Sequence, residues 1–235
     1  MQDWAQSIRG PRPLWSQPAD HVLVGDNGGM PPKHSRPRPG QRRPPGVLRI
    51  IAGEWRGRRL RLPADAALRP TPERVRETLF NWLAPRLAGA RCIDAFAGSG
   101  ALGLEALSRG AAACLFLEQS QTSARALRDT LASLAAHQAR VLTADAIGWF
   151  AQAEGQYDLI FLDPPFDSPR LGEALSLIEA RGLLAPGGRL YLEWPAGRRP
   201  LLPGALALLR EGRAGQVSFG LAGVKEAEDS RTIPA

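Results

Sequence analysis

The most chemically suggestive residues of the chain lie in the segment LIFLDPPFDS, residues 159 to 168. Asp163 supplies a carboxylate and Pro164 a carbonyl oxygen, and both groups can accept hydrogen bonds from an amine. Pro164 and Pro165 fix φ at about −65° and carry no N–H donor, so they hold these acceptors in place. Phe166 offers a ring on which a planar base can stack. The segment therefore predicts a clamp for the exocyclic amine of a nucleobase.

A glycine-rich loop lies upstream in the segment DAFAGSGALG, residues 94 to 103. Its three glycines match G-x-G-x-x-G between a predicted strand and a predicted helix, and Glu118 follows twenty residues after the first of them. This spacing alone fits a dinucleotide fold, or a flavodoxin-like sheet with an incidental glycine turn. The carboxylate of Asp94 argues against a pyrophosphate, because the two negative charges repel each other. It favours a zwitterionic cofactor with an ammonium and a sulfonium group.

The motif D-x-F-x-G-x-G, followed by an acidic residue that ends the next strand, resembles the class I S-adenosylmethionine (SAM) methyltransferases. The resemblance implies that Asp94 lies near the methionine part of the cofactor and that Glu118 accepts hydrogen bonds from the two ribose hydroxyls. Asp145, which ends the third predicted strand, is expected to reach the adenine amine. The complete set of cofactor-binding residues implied in this way is Asp94, Phe96, Gly98, Ser99, Gly100, Gly103, Glu118, Asp145 and Ala146.

This cofactor gives the Asp163 segment a defined chemistry. An exocyclic amine is a poor nucleophile because its lone pair is delocalised into the ring, and two acceptors can direct that lone pair at the sulfonium methyl. The leaving group is neutral, so we expect alignment to contribute more than base catalysis, and Asp163 needs no shifted pKa. A simpler interpretation is that the prolines end a buried strand and that Asp163 caps the turn. The position at the carboxyl end of the fourth parallel strand favours the clamp.

The D-P-P-aromatic motif indicates the type of atom that is methylated and leaves the molecule open. Enzymes acting on adenine N6, cytosine N4, guanine N2 and glutamine side chains share it. Methylation at carbon 5 of a pyrimidine needs a cysteine nucleophile, whereas Cys92 and Cys114 both lie in apolar runs of predicted strands. We expect both to be small buried side chains in a reducing cytoplasm. His21, His34 and His137 show no ligand spacing, so no metal site is predicted.

Charge and hydropathy restrict the partners. The net charge of +7 and the pI near 10.5 favour a polyanion. No run of apolar residues is long enough to predict a transmembrane helix. The N-terminal segment is interrupted by Pro11, Pro13 and Pro18, so no signal peptide is predicted and a cytoplasmic location is expected.

From residue 91 onward, apolar strands alternate with amphipathic helices, which is typical of a parallel sheet covered on both faces. The five predicted strands are CIDAF, ACLFLE, ARVLTAD, YDLIFLD and RLYLEW. Residues 205–215 and 216–223 are predicted to close the sheet as an antiparallel hairpin. The predicted fold class is therefore α/β and Rossmann-like, as in class I methyltransferases, with seven mostly parallel strands and a preceding N-terminal β-hairpin.

A helix is predicted to start within LRPTPERVRETLFNWLAP. Thr71 suits the N-cap position, and Pro72 suits the first helical position. Glu73 places a carboxylate where the helix dipole favours it. We expect Pro85 to end the helix.

Residues 1–46 are rich in proline and glycine and are predicted to be a disordered basic tail, and a start of translation at Met30 is a hypothesis for this segment. The domain is predicted over 47–223, followed by a frayed tail from 224. Residues 47–63 read as two short strands with five arginines against Glu54 and with Trp55 among them. One interpretation is a solvated edge hairpin. The other, which we favour, is a surface that binds RNA phosphates and offers an aromatic ring for stacking, with Arg49, Arg56, Arg58 and Arg59 as contacts.

Several blocks together resemble the RsmD family of bacterial 16S rRNA guanine-N2 methyltransferases. They are RIIAGEWRGRRLRLP, RPTPERVRETLFNWL, DAFAGSGALGLEALSRGA, FLDPPF and AGQVSFGL, and they span residues 47 to about 222. The resemblance implies methylation of one guanine N2 in 16S rRNA, within an assembling 30S subunit. A monomer is expected from the size of the domain. The resemblance also implies that Arg69, Thr71 and Arg76 lie near cofactor or substrate, although the residues alone would equally describe a helix start. An adenine-N6 methyltransferase and a non-catalytic assembly factor that binds SAM and RNA are the alternatives.

Overall fold

The computed structural model describes residues 46–61, 71–204 and 206–224. The elements within these ranges are β1 (Val47–Arg49), β2 (Arg59–Arg61), α1 (Glu73–Leu87), β3 (Arg91–Asp94), α2 (Ala101–Ser108), β4 (Ala113–Glu118), α3 (Gln121–Ser133), β5 (Ala139–Thr143), α4 (Ala146–Phe150), β6 (Tyr157–Leu162), α5 (Arg170–Ala180), β7 (Leu184–Pro195), β8 (Leu206–Ala214) and β9 (Val217–Val224). Residues 1–45 and 225–235 of the predicted tails, the question of a start at Met30, and Arg69 lie outside the described residues. Val224, the first residue of the predicted frayed tail, is instead the last residue of β9 and pairs with Leu206.

Seven strands form one sheet in the order β5-β4-β3-β6-β7-β9-β8. β3 to β7 pair in parallel, and β9 runs antiparallel to both β7 and β8. β1 and β2 form a separate antiparallel pair. The predicted fold class, with its two terminal hairpins, is confirmed. The strand order reverses between β3 and β6, so a crevice is expected at the carboxyl ends of these strands.

Apolar side chains cover both faces of the sheet, as the continuous apolar strands predict. Along β4, Leu115 and Leu117 lie in one buried cluster and Phe116 lies in the other. Helices α1, α2 and α3 pack in the cluster that contains Phe116, and α4 and α5 pack in the opposite one. No helix in the described ranges has the length and apolar character that a membrane span requires.

Both ends of α1 differ from the prediction. Pro72 and not Thr71 occupies the N-cap position, and no side chain caps the helix. The Thr71 hydroxyl instead donates to Glu193 Oε1 at 3.0 Å. Pro85 lies inside the last turn of α1 and does not end it. The carbonyl that Pro85 leaves without an N–H partner belongs to the exposed Asn81, where water can satisfy it.

Residues 50–58, which connect β1 and β2, pack against α2. The Glu105 carboxylate accepts hydrogen bonds from two consecutive backbone N–H groups of this segment at 2.9 and 3.0 Å, and Ser108 Oγ accepts one from Trp55 N at 3.0 Å. The Trp55 side chain is buried in the core as a consequence. The expectation that Trp55 offers a ring for stacking on RNA is therefore wrong.

Arg76 belongs to the same buried cluster. Its Nη1 lies 3.2 Å from Glu105 Oε2, its Nε donates to Thr71 O at 3.2 Å, and its Nη2 donates to Arg49 O at 3.0 Å. The side chains of Arg76 and Glu105 are 2% and 0% exposed. Arg109 also donates to Glu105, at 2.7 Å. Arg76 therefore joins α1, α2 and the hairpin, which corrects the expectation that it lies beside cofactor or substrate.

Replacing Arg76 by Met should lower the free energy of unfolding by about 3 kcal/mol, because Glu105 would lose one partner of a buried ion pair while the side-chain volume is kept. Urea denaturation followed by circular dichroism measures the change. Arg74→Met, at an exposed position of the same helix, is the matched control and should leave the unfolding curve unchanged. Equal effects of the two variants would contradict the structural role of Arg76.

Candidate active site

A cavity of about 440 Å³ opens at the carboxyl ends of β3, β4, β5 and β6. This is the edge of the sheet at which open α/β folds bind ligands. The cavity is lined by Ala95, Phe96, Gly98, Leu117, Glu118, Gln119, Ala144, Asp145, Ala146, Asp163, Pro164, Pro165, Phe166 and Arg170.

Nine of the thirteen residues predicted for the clamp and the cofactor line this cavity, and none of the described residues predicted to contact RNA does. The clamp residues 163–166 share the lining with five of the residues expected to bind the cofactor: Phe96, Gly98, Glu118, Asp145 and Ala146. Four others from that set are absent from the lining: Asp94, Ser99, Gly100 and Gly103. The first part of the glycine loop, with Gly98, thus forms one side of the cavity. Its second part, with Gly100 and Gly103 at the start of α2, faces the core.

Asp94 is buried behind the loop. Its Oδ2 accepts a hydrogen bond from Gly103 N at 2.9 Å, which ties the first turn of α2 to the end of β3. Burial raises the pKa of Asp94 to about 7, although the Gly103 hydrogen bond opposes this shift. The structure therefore gives Asp94 a structural role in fixing the loop.

Gly103 is required by close packing. A Cβ atom at this position would lie 2.3 Å from Phe116 Cε1 and 2.8 Å from Cys114 Sγ. Both neighbours belong to β4, which ends in Glu118, so the absence of a side chain lets α2 approach the strand that carries Glu118. Cys92 and Cys114 are buried free cysteines, as predicted.

Glu118 holds the loop from the other side. Its Oε2 accepts a hydrogen bond from Gly98 N at 2.8 Å, and its Oε1 accepts one from Ser120 N at 2.7 Å. Each carboxylate oxygen has a further lone pair. Because Glu118 lines the cavity, both oxygens can accept additional hydrogen bonds from a ligand with two neighbouring hydroxyl groups.

Asp145 caps α4, a short helix that the sequence analysis did not predict. Its Oδ2 accepts from Gly148 N at 3.0 Å, and its Oδ1 is ion-paired with Arg170. Burial disfavours the charged form, but the hydrogen bonds and the charge of Arg170 outweigh it, so the pKa of Asp145 is lowered. Asp145 is therefore an ionised acceptor at the cavity.

The clamp segment turns out of β6 into the cavity. Phe166 is 38% exposed, whereas Pro164 is buried. Ser168 donates to the carbonyl of Pro165 through its N–H at 3.2 Å and through its hydroxyl at 2.6 Å. Among the described residues, no donor contacts the carbonyl of Pro164, so this oxygen and the Asp163 carboxylate are available to a ligand.

Asp163 is surrounded by other acidic groups. Burial raises its pKa well above the ordinary value, and the nearby charges of Glu193 and Asp94 raise it further, while a hydrogen bond from Thr71 opposes the shift. The sequence analysis expected that Asp163 needs no shift of its pKa. Thr71 thus lies next to the clamp, as the resemblance implies.

The arginines of the hairpin lie away from the cavity lining. Arg49, Arg56, Arg58 and Arg59 are exposed. No group of histidine, cysteine and acidic residues in the described part of the chain has the arrangement of a metal site.

Sequence reasoning missed Arg170, Gln119 and Glu193. Arg170 and Gln119 line the cavity, and neither carries a motif signal. Glu193 did carry a signal. It is the one charged residue among the buried residues 190–194 of RLYLEW, a strand predicted to be covered on both faces.

The described domain is similar to proteins from several bacteria. The family model described as conserved hypothetical protein 95 matches residues 48–222. Ribosomal RNA small subunit methyltransferase D of Escherichia coli is 46% identical over 177 residues, which cover 75% of this chain and 89% of that protein. The Haemophilus influenzae protein of the same name is 42% identical over 180 residues, with 75% and 93% covered. The solved structure of yhhF from Escherichia coli, a methyltransferase by its description, has a TM-score of 0.70 at 44% identity and covers 77% of this chain and 99% of that chain.

Gly103→Ala should destabilise the protein by about 1–3 kcal/mol, because the added methyl group overlaps the Phe116 ring and forces α2 away from β4. Thermal unfolding measures the effect. Gly172→Ala is the matched control, since Gly172 is also helical but a Cβ atom there meets nothing within 4 Å. The control should be neutral or slightly stabilising. A Gly103→Ala variant as stable as the control would show that close packing does not require this glycine.

Proposed function

We propose, because the chain belongs to the RsmD family of ribosomal RNA small subunit methyltransferases, that it methylates the exocyclic N2 amine of one guanine in 16S rRNA. Its activity is SAM-dependent methyl transfer to ribosomal RNA. The observation that carries the choice of an amino nitrogen is the pairing of the Asp163 carboxylate with the Pro164 carbonyl at the cavity, beside the exposed ring of Phe166. The choice of guanine rests on the family.

The cavity fits SAM in its donors and acceptors. Glu118 can accept hydrogen bonds from both ribose hydroxyls, and Asp145 can accept one from the adenine amine. The acidic groups at this edge of the sheet suit a cofactor that carries an ammonium and a sulfonium. When bound, SAM supplies a methyl carbon activated by its positive sulfur. Phe96, Gly98 and Ala146 complete the proposed binding surface.

The clamp residues orient the amine. Asp163 and the Pro164 carbonyl accept hydrogen bonds from its two hydrogens, which leaves the nitrogen lone pair directed out of the base plane towards the methyl carbon. The prolines keep both acceptors fixed, so little reorganisation is needed during the reaction. Phe166 stacks on the base that is turned out of the RNA.

The hairpin is the proposed contact for the RNA backbone. Arg49, Arg56, Arg58 and Arg59 are exposed on a segment that Glu105 and Ser108 hold rigidly against α2. An anchored group of cations binds phosphates without a large loss of backbone entropy. We propose that this surface positions 16S rRNA, within a 30S particle, while the clamp selects the amine.

The function is tested by methyl transfer from labelled SAM to unmodified 30S subunits, free 16S rRNA and duplex DNA in parallel, followed by mass spectrometry of the nucleosides. N2-methylguanosine from a ribosomal sample is expected. Detection of N6-methyladenine would agree with the proposed amine clamp but contradict guanine as the substrate. No transfer to any sample would favour a non-catalytic binding factor.

Asp163→Ala should lower the rate of methyl transfer by about 100-fold or more, because the amine loses a fixed acceptor. Asp167→Ala removes an exposed carboxylate four residues away and serves as the control. SAM affinity, measured by calorimetry, should change little in both variants, and by far less than the rate falls in Asp163→Ala. Equal rates for Asp163→Ala and the wild type would remove Asp163 from the catalytic residues.

Replacing Arg58 and Arg59 by Ala should weaken RNA binding and reduce the slope of log K against log salt by about 1 to 2, as expected for two lost phosphate contacts. Filter binding at several salt concentrations measures the slope. The control is the double variant Arg125→Ala with Arg140→Ala, which removes the same charge from α3 and β5. An unchanged slope in the hairpin variant would favour the solvated-edge interpretation.

A further inference from the structure

Glu193 lies beside Asp163 on the neighbouring strand. β6 and β7 are parallel, and their last paired residues are Leu162 and Leu192. Asp163 and Glu193 come directly after these two leucines. They therefore lie side by side, at the spacing of about 4.8 Å that separates adjacent strands. Asp163 lies two residues after Phe161, and Glu193 lies two residues after Tyr191. Side chains two residues apart in a strand point to the same face, so both acids point to the face of the sheet covered by α1.

Two hydroxyl groups bind Glu193. Tyr191 OH donates to Glu193 Oε1 at 2.7 Å, and Thr71 Oγ1 donates to the same oxygen at 3.0 Å. Thr71 also faces Asp163. A hydroxyl group has one proton, so Thr71 can donate to only one carboxylate at a time. The second carboxyl group can bind Thr71 well only when it carries a proton itself.

The described residues place no cation beside the two acids. Among the described residues, no arginine or lysine lies within ion-pair distance of Asp163 or Glu193. The groups that face Asp163 are Asp94 from β3, Glu193 from β7 and the Thr71 hydroxyl, and β9 places the apolar Phe219 opposite Glu193. Two buried carboxylates in this setting cannot both ionise easily.

We propose that Glu193 is a positioning residue for methyl transfer, whose negative charge, held by Tyr191 and Thr71, makes Asp163 the base that removes a proton from the amine. The inference rests on the proposed function and adds to it. Glu193 is absent from the cavity lining, so it acts through Asp163 and not on a ligand.

The proton balance is complete with the groups present. A bond forms between the amine nitrogen and the methyl carbon while the carbon–sulfur bond breaks, and the electron pair of that bond remains on sulfur. The nitrogen becomes positively charged and releases a proton to Asp163, which changes from carboxylate to carboxylic acid. The charge of Glu193 stabilises this protonated Asp163. No oxidant, reductant or metal is needed.

The test is the pH dependence of single-turnover methyl transfer to 30S subunits. Asp163 must be ionised to act as a base, so the wild-type rate should fall on the acid side. Glu193→Gln keeps the side-chain shape and an acceptor for both hydroxyls but removes the charge. It should move the acid limb to lower pH by about one unit and lower the plateau rate by up to roughly 10-fold, because a weaker base accepts the proton less readily. Glu211→Gln, on the exposed face of β8, should leave the limb unchanged.

Thr71 gives an independent test with the opposite sign. Its hydrogen bond favours the charged form of whichever of the two acids accepts it. Thr71→Val removes the hydroxyl at constant volume and should move the acid limb to higher pH, whereas Thr71→Ser should return it towards the wild-type position. An acid limb at the same pH in Glu193→Gln, Thr71→Val and the wild type would overturn the proposal.

A titration of carboxyl ¹³C signals in the ligand-free protein separates this inference from the proposed function. The Asp163 signal should titrate above the ordinary aspartate range in the wild type and at lower pH in Glu193→Gln. If the wild type forms no N2-methylguanosine but these shifts occur, the function is wrong and the coupled pair remains. If methylation occurs and Asp163 titrates identically in both proteins, the pair is wrong and the function remains.

Discussion

The buried carboxylate of Glu105 is the interaction on which most of the architecture depends. It has no exposed surface, and it binds Arg76, Arg109 and two N–H groups of the hairpin segment. A buried carboxylate is costly unless its oxygens are paired and hydrogen-bonded. The four partners come from α1, α2 and the segment after β1, so satisfying this one group fixes three elements relative to one another. The hairpin is therefore a rigid part of the domain, which suits the RNA-binding role proposed for it.

The same interaction reaches the active site through one residue. Arg76 binds Glu105 with one nitrogen and the carbonyl of Thr71 with another, and the hydroxyl of Thr71 then contacts the acids beside the clamp. The motif in which Arg76 and Thr71 occur is thus explained without contact between Arg76 and a ligand. Arg76 holds the backbone, and Thr71 places the hydroxyl. Since Tyr191 holds Glu193 from within β7, the acid pair is fixed from two independent directions.

Much of the fold could be predicted from the sequence, because strands buried on both faces must be apolar throughout and the helices between them must be amphipathic. The cavity could be predicted as well, since the chemistry lies at the ends of strands, where a motif also marks a position in space. The errors share a physical cause. Trp55, Thr71 and Arg76 have side chains that can serve either a surface or a core, and only tertiary contacts decide between them. Local rules placed Thr71 at a helix cap and Trp55 on a binding surface. Thr71 instead binds the distant Glu193, and the segment that contains Trp55 binds Glu105 and Ser108 of α2.

Opposite charges are segregated on this domain, and the segregation fits two ligands of opposite character. Asp94, Asp163 and Glu193 lie close together under the cavity, while the exposed arginines lie on the hairpin. The negative charge that this group of acids holds, proposed to lie on Glu193, attracts a sulfonium. The attraction is lost when methyl transfer leaves a neutral thioether, so the charge that favours the cofactor also favours release of its product. A basic surface at the same place would bind the RNA backbone in the cavity and exclude the base. The stacked pair of Trp82 and Phe219 joins α1 to β9. Together with the Arg76 anchor, this packing holds Thr71 beside the acids.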